Sequence, residues 1–466
     1  MTDGREAEVA VVGGGPAGAA VAFRLARLGH RVVLVTADRP HGTDRTELLP
    51  PSIETLQHSM PLADALAAQP LAPLTRVRWS GFSEDLRPHG GTRLVQRDAF
   101  DQALLEIAAA AGTELIRSAR ARRPQRTPQG WIVPIDLAGG RCCVKARILV
   151  DAAGRRGGFA RSGRLLAPAT VALFTRWTSA DVRSGEIWIE ALPDGWCWGA
   201  GVADGVLETA TFVSTEDCRG QGRQALAQRH GELLRQSERF RSALRGAEPA
   251  AIRICDASAK IDDDPAQRDF IRVGDAAFAP DPMSSQGVQA ALRSGVHAAA
   301  AVHTILRGGD ADAALAFYRD AVHATAAQHR DVTADLYARH ERWRDRQFWR
   351  ARAARDADGP VPPKPILQVA PDSSLRLSRD VEIVAAPALV GDLIERVSSV
   401  MHRSERRPVT WLNGHLLAPL LDGMGSGGSA AAIVAGWSSV MPVDEASSML
   451  HWLIARGIVE PYPSSS

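Results

Sequence analysis

Short apolar runs that end in glycine or aspartate recur through the first two thirds of the chain. Residues 9–12 are all apolar and run directly into Gly13, and a helix-forming stretch then leads to a second predicted strand at residues 30–35, which is apolar from Val32 onward. Uninterrupted apolar strands are typical of a parallel sheet buried on both faces, and a helix between two of them makes a βαβ unit. Similar runs end at Asp151 and Gly274. The pattern predicts an α/β fold.

Between residues 168 and 259 apolar and polar positions alternate, as in residues 186–190 and 207–212. Alternation with a period of two predicts an antiparallel sheet with one covered face. We expect a strand at residues 76–82 and a helix at residues 222–244 to belong to this region. The sequence also predicts a helix that ends before Gly112, a helix at residues 289–306, and helices between residues 311 and 352.

The C-terminal part of the chain is predicted to be separate. Residues 355–374 contain five prolines and are typical of a linker. The module at residues 375–466 is predicted to be winged-helix-like, with a strand at 381–384, helices at 387–401, 410–423 and 443–457, and a final strand at 458–460. The expected domains are a dinucleotide-binding domain of residues 1–75, 90–167 and 260–354, and a substrate domain of residues 76–89 and 168–259.

The composition limits which binding partners and which cellular compartment are expected for the protein. The 466 residues carry a formal net charge of +2, so no polyanionic partner is indicated. The five cysteines show no C-x-x-C spacing, which argues against a disulfide framework and a zinc site. Neither a signal peptide nor an apolar run of about 18 residues is visible, and we expect a cytoplasmic protein without a membrane span or a metal.

The first glycine cluster has the G-x-G-x-x-G spacing of a dinucleotide-binding loop. Gly13 would permit the turn, Gly15 would let backbone N–H groups approach a pyrophosphate, and Gly18 would let the helix pack on the strand; the loop also contains Gly14, Pro16 and Ala17. The second strand of such a unit usually ends in an acid that holds the adenosine ribose. Here Thr36 occupies that place and Asp38 follows, and the sequence leaves open which residue makes the contact.

Two further motifs follow the later apolar runs in a fixed order. They are Asp151-Ala152-Ala153-Gly154-Arg155 and Gly274-Asp275-Ala276-Ala277, and the second continues into Asp281-Pro282 and Gln286-Gly287-Val288. With these motifs the chain resembles the flavoprotein monooxygenase superfamily of the p-hydroxybenzoate hydroxylase fold, which also includes halogenases and reductases. The resemblance implies an FAD-binding Rossmann-type domain with an antiparallel-sheet substrate domain.

The resemblance also implies roles for individual residues. Asp275 would bind the ribityl and ribose hydroxyls of FAD, and Arg97 would contact the cofactor. The residues expected at the cofactor beyond the first loop are Asp151, Gly154, Gly274, Asp281, Pro282, Ser285, Gln286, Gly287 and Val288, of which Asp281 and Pro282 would lie nearest the isoalloxazine ring. Arg45 and Glu47 are candidates for the active-site wall, although Arg45 could equally contact a cofactor phosphate and Glu47 could cap a helix.

The sequence indicates which cofactor is bound more clearly than it indicates which reaction the flavin catalyses. A halogenase of this superfamily is expected to carry a lysine in its first hundred residues and a W-x-W-x-x-P motif. This chain has no lysine before Lys145, and Trp196 and Trp198 lack the following proline, so halogenation is disfavoured. The sequence also leaves open a prenyl-chain reductase, a hydroxylase of small aromatic molecules and a flavin-containing assembly chaperone.

The terminal module suggests the substrate. It holds seven arginines and no lysine against nine acids, which disfavours nucleic-acid binding. It resembles the peptide-recognition modules of modified-peptide pathways, which add a peptide as a strand to a sheet edge. With residues 343–352, the whole chain resembles the flavoproteins that mature tryptophylquinone cofactors, particularly that of quinohemoprotein amine dehydrogenase. This resemblance implies hydroxylation of a tryptophan in a precursor polypeptide, the small subunit of an amine dehydrogenase, bound partly by the terminal module. NAD(P)H or a flavin reductase would supply electrons.

Overall fold

The computed structural model describes residues 4–38, 45–72, 74–79, 85–88, 91–157, 159, 163–354, 370–424 and 427–462. The chain divides into two compact units, one of residues 1–303 with 321–355 and one of residues 304–320 with 356–466. Residues 80–82 of the predicted strand and residues 355–369 of the predicted linker lie outside the described residues. No helix in the described part of the chain is both long enough and apolar enough to cross a bilayer.

Residues 4–165 form β1 (Gly4–Val12), α1 (Pro16–Arg27), β2 (Val32–Val35), β3 (Thr46–Leu49), α2 (Ala63–Ala67), β4 (Leu74–Arg78), β5 (Asp85–Pro88), β6 (Arg93–Gln96), α3 (Arg97–Ala110), β7 (Glu114–Ile116), β8 (Arg120–Ala121), β9 (Gln125–Thr127), β10 (Gly130–Leu137), β11 (Gly140–Asp151), α4 (Gly154–Gly157) and β12 (Arg164–Leu165). A 3-10 helix covers Pro51–His58.

Residues 170–352 form β13 (Thr170–Thr178), β14 (Glu186–Leu192), β15 (Gly195–Ala203), β16 (Val206–Ser214), α5 (Arg223–Gln236), α6 (Glu238–Ala243), β17 (Glu248–Pro249), β18 (Arg253–Asp256), β19 (Lys260–Ile261), β20 (Ala266–Gln267), β21 (Phe270–Arg272), β22 (Phe278–Ala279), α7 (Gly287–Leu306), α8 (Ala311–Ala338) and α9 (Gln347–Arg352). The terminal part forms β23 (Ser374–Leu377), β24 (Glu382–Val390), β25 (Leu393–Met401), β26 (Trp411–Leu412), β27 (His415–Leu416), α10 (Leu417–Asp422), β28 (Gly428–Ser429), α11 (Ala430–Trp437), α12 (Val443–Ala455) and β29 (Val459–Pro461).

The predicted parallel strands lie side by side in one sheet. Its strand order is β20-β21-β11-β1-β2-β7, and β21, β11, β1, β2 and β7 all run parallel. Val9, Ala10 and Val11 of the central strand are completely buried, as expected for a strand covered on both faces. Because parallel strands share one carboxyl edge, the loops after β1, β11 and β21 meet there, and the α/β fold predicted from the sequence is confirmed.

The predicted antiparallel layer is also present, although β4 joins it parallel to β14. Its strand order is β17-β13-β16-β15-β14-β4-β5. Strand β18 also pairs with β13, along the edge that faces away from β16. Helices α5 and α6 cover one face, where Leu234 and Phe240 pack with Trp188 and Val213. The predicted helix at residues 222–244 is interrupted at Ser237, whose side chain accepts a hydrogen bond from the Phe240 N–H and caps α6.

The second unit differs from its prediction in two places. The predicted helix at residues 387–401 is wrong, because this segment forms most of the hairpin β24–β25, which turns at Gly391 with φ +59°. The predicted helix at residues 410–423 is helical only in α10, since β26 and β27 form a second hairpin before it. Helices α10, α11 and α12 enclose a core with Leu417, Trp437 and Leu453, and β23 pairs with β28 and β29.

Candidate active site

The glycine loop after β1 is tightly packed on one side and open on the other. Gly13 has φ +115°, and a Cβ atom there would lie 2.2 Å from Ala152 O; a Cβ atom at Gly18 would lie 1.9 Å from Gly13 O. Only glycine fits these two positions. A Cβ atom at Gly15 would meet nothing within 4 Å. Gly15 precedes the amino end of α1, so the open side exposes helix N–H groups that favour an anion.

The end of β2 contacts the same loop. A Cβ atom at Gly14 would lie 2.4 Å from Thr36 Oγ1, so the threonine side chain occupies the space beside the turn. Asp38 is exposed, and its Oδ1 accepts a hydrogen bond from Ser118 Oγ at 2.9 Å. Both residues lie at the carboxyl edge of the sheet, and their roles toward a ribose stay predictions.

The loop after β11 is stabilised by hydrogen bonds to the first residue of its own motif, Asp151. Asp151 is completely buried, and its carboxylate accepts hydrogen bonds from the N–H groups of Ala153 and Phe159, each at 3.1 Å. Burial raises the pKa of Asp151. Gly154 follows with φ +71°. These contacts fix the course of the chain after the strand and leave Asp151 without an exposed carboxylate oxygen.

Arg155 joins the motifs after β11 and β21, and sequence reasoning did not include it among the site residues. Its Nε donates to Asp275 Oδ2 at 2.9 Å, and its Nη2 donates to Pro280 O at 2.9 Å. Its Nη1 donates to Ser258 O at 2.6 Å. The Asp275 side chain stays about one third exposed. The available signal was the arginine that ends the D-x-x-G-R motif, because a guanidinium can bind several loop acceptors at once.

The buried carboxylate of Asp281 stabilises the loop before α7. This carboxylate is buried, and it accepts hydrogen bonds from Met283 N at 2.9 Å and from Tyr337 Oη at 3.2 Å. Burial raises the pKa of Asp281. Asp281 therefore has contacts that fix the turn, and its expected place beside the isoalloxazine ring, as a candidate catalytic residue, stays a prediction.

The residues after Asp281 form the accessible side of this loop. Pro282 is half-buried, Ser285 and Gln286 are exposed, and Ser285 has a left-handed backbone with φ +50°. Gly287 begins α7, which runs for 20 residues, and Val288 is buried. The amino end of a long helix thus meets an exposed loop at the carboxyl edge of the parallel sheet, where it favours negative charge.

Arg45, Glu47 and Arg97 form a chain of ion pairs. Arg97 is buried at the start of α3, and it donates to Glu47 at 2.8 Å and to Asp101 at 3.0 and 3.1 Å. Burial alone would lower the pKa of Arg97, but the carboxylates of Glu47 and Asp101 raise it overall. Arg45 Nε lies 2.9 Å from the same oxygen of Glu47. The guanidinium predicted to contact the cofactor is thus bound to two carboxylates.

The face of the antiparallel sheet opposite α5 and α6 carries aromatic side chains in aligned rows. The central row contains residues that lie opposite one another on β14, β15, β16, β13 and β18, namely Ile189, Trp198, Ala210, Phe174 and Arg253. In the next row Trp196 stacks on Phe212 with centroids 3.8 Å apart. Both of these rings are buried, whereas Trp198 and Phe174 are only half-buried. We call this surface the aromatic face.

Parts of the first unit close around the aromatic face. Leu48 of β3 and Trp198 pack against the same apolar cluster, and Met283 of the loop before α7 packs against the cluster that Trp198 and Phe174 also contact. Since side chains alternate along a strand, Glu47 lies on the side of β3 opposite to Leu48. The structure therefore brings Met283 and the aromatic rings together, and it places Glu47 with Arg97 instead.

Neither of the two lysines in the described residues lies on the aromatic face. Lys145 is exposed on β11, and Lys260 on β19 donates to Asp256. Lys364 lies outside the described ranges. In those ranges no three side chains of histidine, cysteine, aspartate or glutamate converge as metal ligands.

Two family profiles match the sequence. The profile of FAD dependent oxidoreductases matches residues 8–171, and that of tryptophan halogenases matches residues 94–374. The tryptophan 2-halogenase of Chondromyces crocatus is 27% identical over 369 residues, which are 74% of this chain and 70% of the relative. The FAD-dependent oxidoreductase LodB of Marinomonas mediterranea is 26% identical over 373 residues, which are 74% of this chain and 96% of the relative.

Solved structures resemble the chain over nearly its full length. The peptidyl tryptophan dihydroxylase QhpG, which is essential for tryptophylquinone cofactor biogenesis, has a TM-score of 0.75 and 27% identity, with 97% of this chain and 99% of that chain covered. The flavin-dependent halogenase CmlS has a TM-score of 0.79 over 100% and 97% of the two chains, at 18% identity. The latter likeness concerns the fold alone.

Proposed function

This chain belongs to the tryptophan halogenase family, whose cofactor is FAD, and from this premise we propose that it is a monooxygenase that hydroxylates a tryptophan side chain in a precursor polypeptide. The observation that carries the proposal is the 27% identity with a peptidyl tryptophan dihydroxylase over 97% of this chain and 99% of the other. The curated halogenase and oxidoreductase relatives cover 74% of this chain, and the halogenase CmlS, which covers all of it, is only 18% identical.

The residues at the carboxyl edge of the parallel sheet fit FAD. The open side of Gly15 and the amino end of α1 suit the pyrophosphate, and the partly exposed Asp275 suits hydroxyl groups. The exposed loop of Ser285 and Gln286, followed by the amino end of α7, suits the ring, where negative charge develops on reduction. When bound and reduced, FAD supplies the oxygen-transfer chemistry.

The remaining task of the protein is to bind and orient an electron-rich ring. Trp198 and Phe174 offer an apolar aromatic surface on which an indole can pack edge-to-face or offset-stacked. Leu48 and Met283 lie around this surface and reduce the access of water. Orientation accounts for a large part of the rate in such a reaction, so few acid or base side chains are needed.

Halogenation is the second candidate, because the family profile and several curated relatives are those of halogenases. The feature that favours hydroxylation is the lysine content. No lysine occurs before Lys145, and in the described part of the chain the aromatic face has none. A halogenase of this family would be expected to use such a lysine to receive the oxidised halide.

The terminal unit is proposed to hold part of the polypeptide, the small subunit of an amine dehydrogenase. Trp411 and Leu416 face each other across the β26–β27 hairpin and are 40% and 36% exposed. Large exposed apolar side chains that are paired in this way suit a protein-binding surface. The electron donor is proposed to be NAD(P)H or a separate flavin reductase.

The proposal is tested by incubating the FAD-loaded protein with precursor polypeptide, a flavin reductase with NADH, oxygen and chloride or bromide. Mass spectrometry should find a gain in units of oxygen on one tryptophan, and a precursor with phenylalanine at that tryptophan should stay unmodified. A halogen isotope pattern would instead establish the halogenase. Tight binding of an unmodified polypeptide would favour an assembly chaperone.

A further inference from the structure

One edge of the aromatic face carries a carboxylate between two guanidinium groups. Glu208 on β16 is completely buried and lies directly opposite Arg176 on β13. Arg176 Nη2 donates to Glu208 Oε2 at 2.9 Å, and Arg253 Nη2 donates to Oε1 at 3.4 Å. Thr46 of β3 donates its N–H and its hydroxyl to the same carboxylate at 3.2 and 3.4 Å.

This arrangement holds the Glu208 carboxylate in the interior and leaves the Arg176 guanidinium partly exposed. Both oxygens of Glu208 accept hydrogen bonds, so the buried carboxylate is fully satisfied by its neighbours. The Arg176 side chain is 38% exposed and that of Arg253 is 22% exposed. A guanidinium has five N–H groups, and the bond to Glu208 uses one of those of Arg176. Arg176 is thus oriented by a buried anchor while part of its side chain stays exposed.

The position of Arg176 relates it to the proposed indole site. Along β16, Glu208 stands two residues before Ala210, the member of the central row, and two residues of a strand span about 6.6–6.8 Å. Arg176 therefore lies one row from Phe174 and Trp198, at the edge of the aromatic face. This separation matches the distance from an indole ring to a carboxylate in the same amino acid or in an adjacent residue.

We infer that Arg176, with Arg253 beside it, binds a carboxylate of the molecule whose indole lies on the aromatic face. The inference rests on the proposed function, because it concerns the substrate of the same site. The carboxylate has two possible sources, an acidic side chain next to the target tryptophan in a polypeptide, or the α-carboxylate of tryptophan itself. Guanidinium–carboxylate pairs form charge-assisted, often bidentate hydrogen bonds, so the effect on affinity should be large.

The test measures binding to the oxidised FAD-loaded protein and requires no turnover. The probes are N-acetylated and C-amidated tripeptides in which tryptophan stands beside aspartate or beside asparagine, in both orders, together with tryptophan and tryptophanamide. Perturbation of the flavin absorbance gives each dissociation constant. The acidic probe should bind about tenfold more tightly than its amide in one of these pairs, as expected for one charge-assisted hydrogen bond.

Substitutions assign this preference to the arginine. Arg176→Gln should reduce the ratio of acid to amide affinity to about one while the amide probe binds nearly as before. Arg241→Gln is the matched control, because Arg241 is an exposed arginine on α6, on the opposite side of the sheet. Glu208→Gln should increase the ratio, since the competing charge is removed. If Arg176→Gln does not fold, the triple variant Arg176→Gln/Glu208→Gln/Arg253→Gln removes all three charges together and should also give a ratio of about one.

The outcomes separate the inference from the proposed function. A preference in the tripeptides that Arg176→Gln abolishes supports an acidic neighbour, and a preference confined to tryptophan supports the α-carboxylate. Equal affinity for every acid and its amide, or a preference that survives the loss of Arg176, overturns the inference even if the precursor is hydroxylated. Conversely, an Arg176-dependent preference without hydroxylation would sustain the carboxylate site and reject the monooxygenase.

Discussion

Replacing Gly15 by valine should abolish tight FAD binding and leave the fold intact. Gly15 has φ −78° and ψ −178°, an extended conformation that any L-residue adopts, and a Cβ atom there would meet nothing within 4 Å. The new side chain would therefore enter the open space in which the pyrophosphate is expected to lie. It would separate the anion from the N–H groups at the amino end of α1.

The magnitude follows from the hydrogen bonds that would be lost. A hydrogen bond from a backbone N–H group to a charged acceptor contributes about 1.5–3 kcal/mol. Loss of one such bond weakens the affinity by about 10- to 100-fold, and loss of a second would multiply this effect. The dissociation constant is measured by titrating the apoprotein with FAD and following the quenching of flavin fluorescence.

Gly222→Val is the matched control. Gly222 also precedes a helix, has φ −74° and ψ 166°, and has open space around its Cβ position, but it belongs to α5 behind the antiparallel sheet. The two variants should therefore lose the same small amount of stability as apoproteins, and only Gly15→Val should lose flavin. A Gly15→Val protein that binds FAD within a factor of about three of wild type would refute the assignment of this loop.

The remaining predictions concern the other motif, a buried histidine and the terminal unit. Asp275→Ala should yield protein without bound flavin, because it removes the partly exposed carboxylate beside Arg155; full flavin occupancy in the purified variant would contradict this. Burial lowers the pKa of His230, which lies between Thr209 and Thr211, to about 3. Since the unfolded chain takes up this proton below about pH 6.5, stability should fall as the pH falls, by about 2 kcal/mol between pH 6.5 and 5. Chemical denaturation of wild type and His230→Gln checks this, and an equal pH dependence in both proteins would speak against it. Trp411→Ala combined with Leu416→Ala should weaken binding of the precursor polypeptide in calorimetry and leave the flavin bound; unchanged affinity would remove the role proposed for the terminal unit.

The parallel sheet and its loops could be predicted because their signals are local. The apolar strand, the glycine spacing and the following helix are contiguous, and Gly13 and Gly18 sit at positions where no Cβ atom fits. Gly112, which follows the end of α3, is favoured there by its left-handed backbone with φ +104°. Each of these features depends on neighbours a few residues away, so the sequence pattern was sufficient.

The two errors in the terminal unit arose from missed turn signals. Apolar and alanine-rich residues on both sides favoured helices, but Gly391-Asp392 and Asn413-Gly414 are two-residue hairpin loops. Gly391, Asn413 and Gly414 all have positive φ, as the tight turns between antiparallel strands require. In a short segment, these turn dipeptides are a stronger signal for a hairpin than apolar periodicity is for a helix.

The substrate side of the site could not be predicted residue by residue. Alternation indicates which residues of one strand share a face, but the rows depend on the register between strands far apart in sequence. Phe174 and Trp198 stand in one row, on either side of Ala210, because β16 lies between β13 and β15. The pairing of Arg97 with Glu47 likewise joins residues 50 positions apart, and no spacing rule anticipates it.

The division of labour between the two sheets has a consequence for how such proteins diversify. The cofactor loops stand at the edge of the parallel sheet, whereas the side chains of the aromatic face project from strands whose pairing is held by backbone hydrogen bonds. Exchanging Phe174, Trp198 or Arg176 alters the shape and charge offered to a substrate without displacing the loop at Gly13 or the arginine tie at Arg155. Related proteins can therefore keep the same FAD-binding loops and acquire different substrates through changes at a few sheet positions. A protein engineer can change the substrate in the same way.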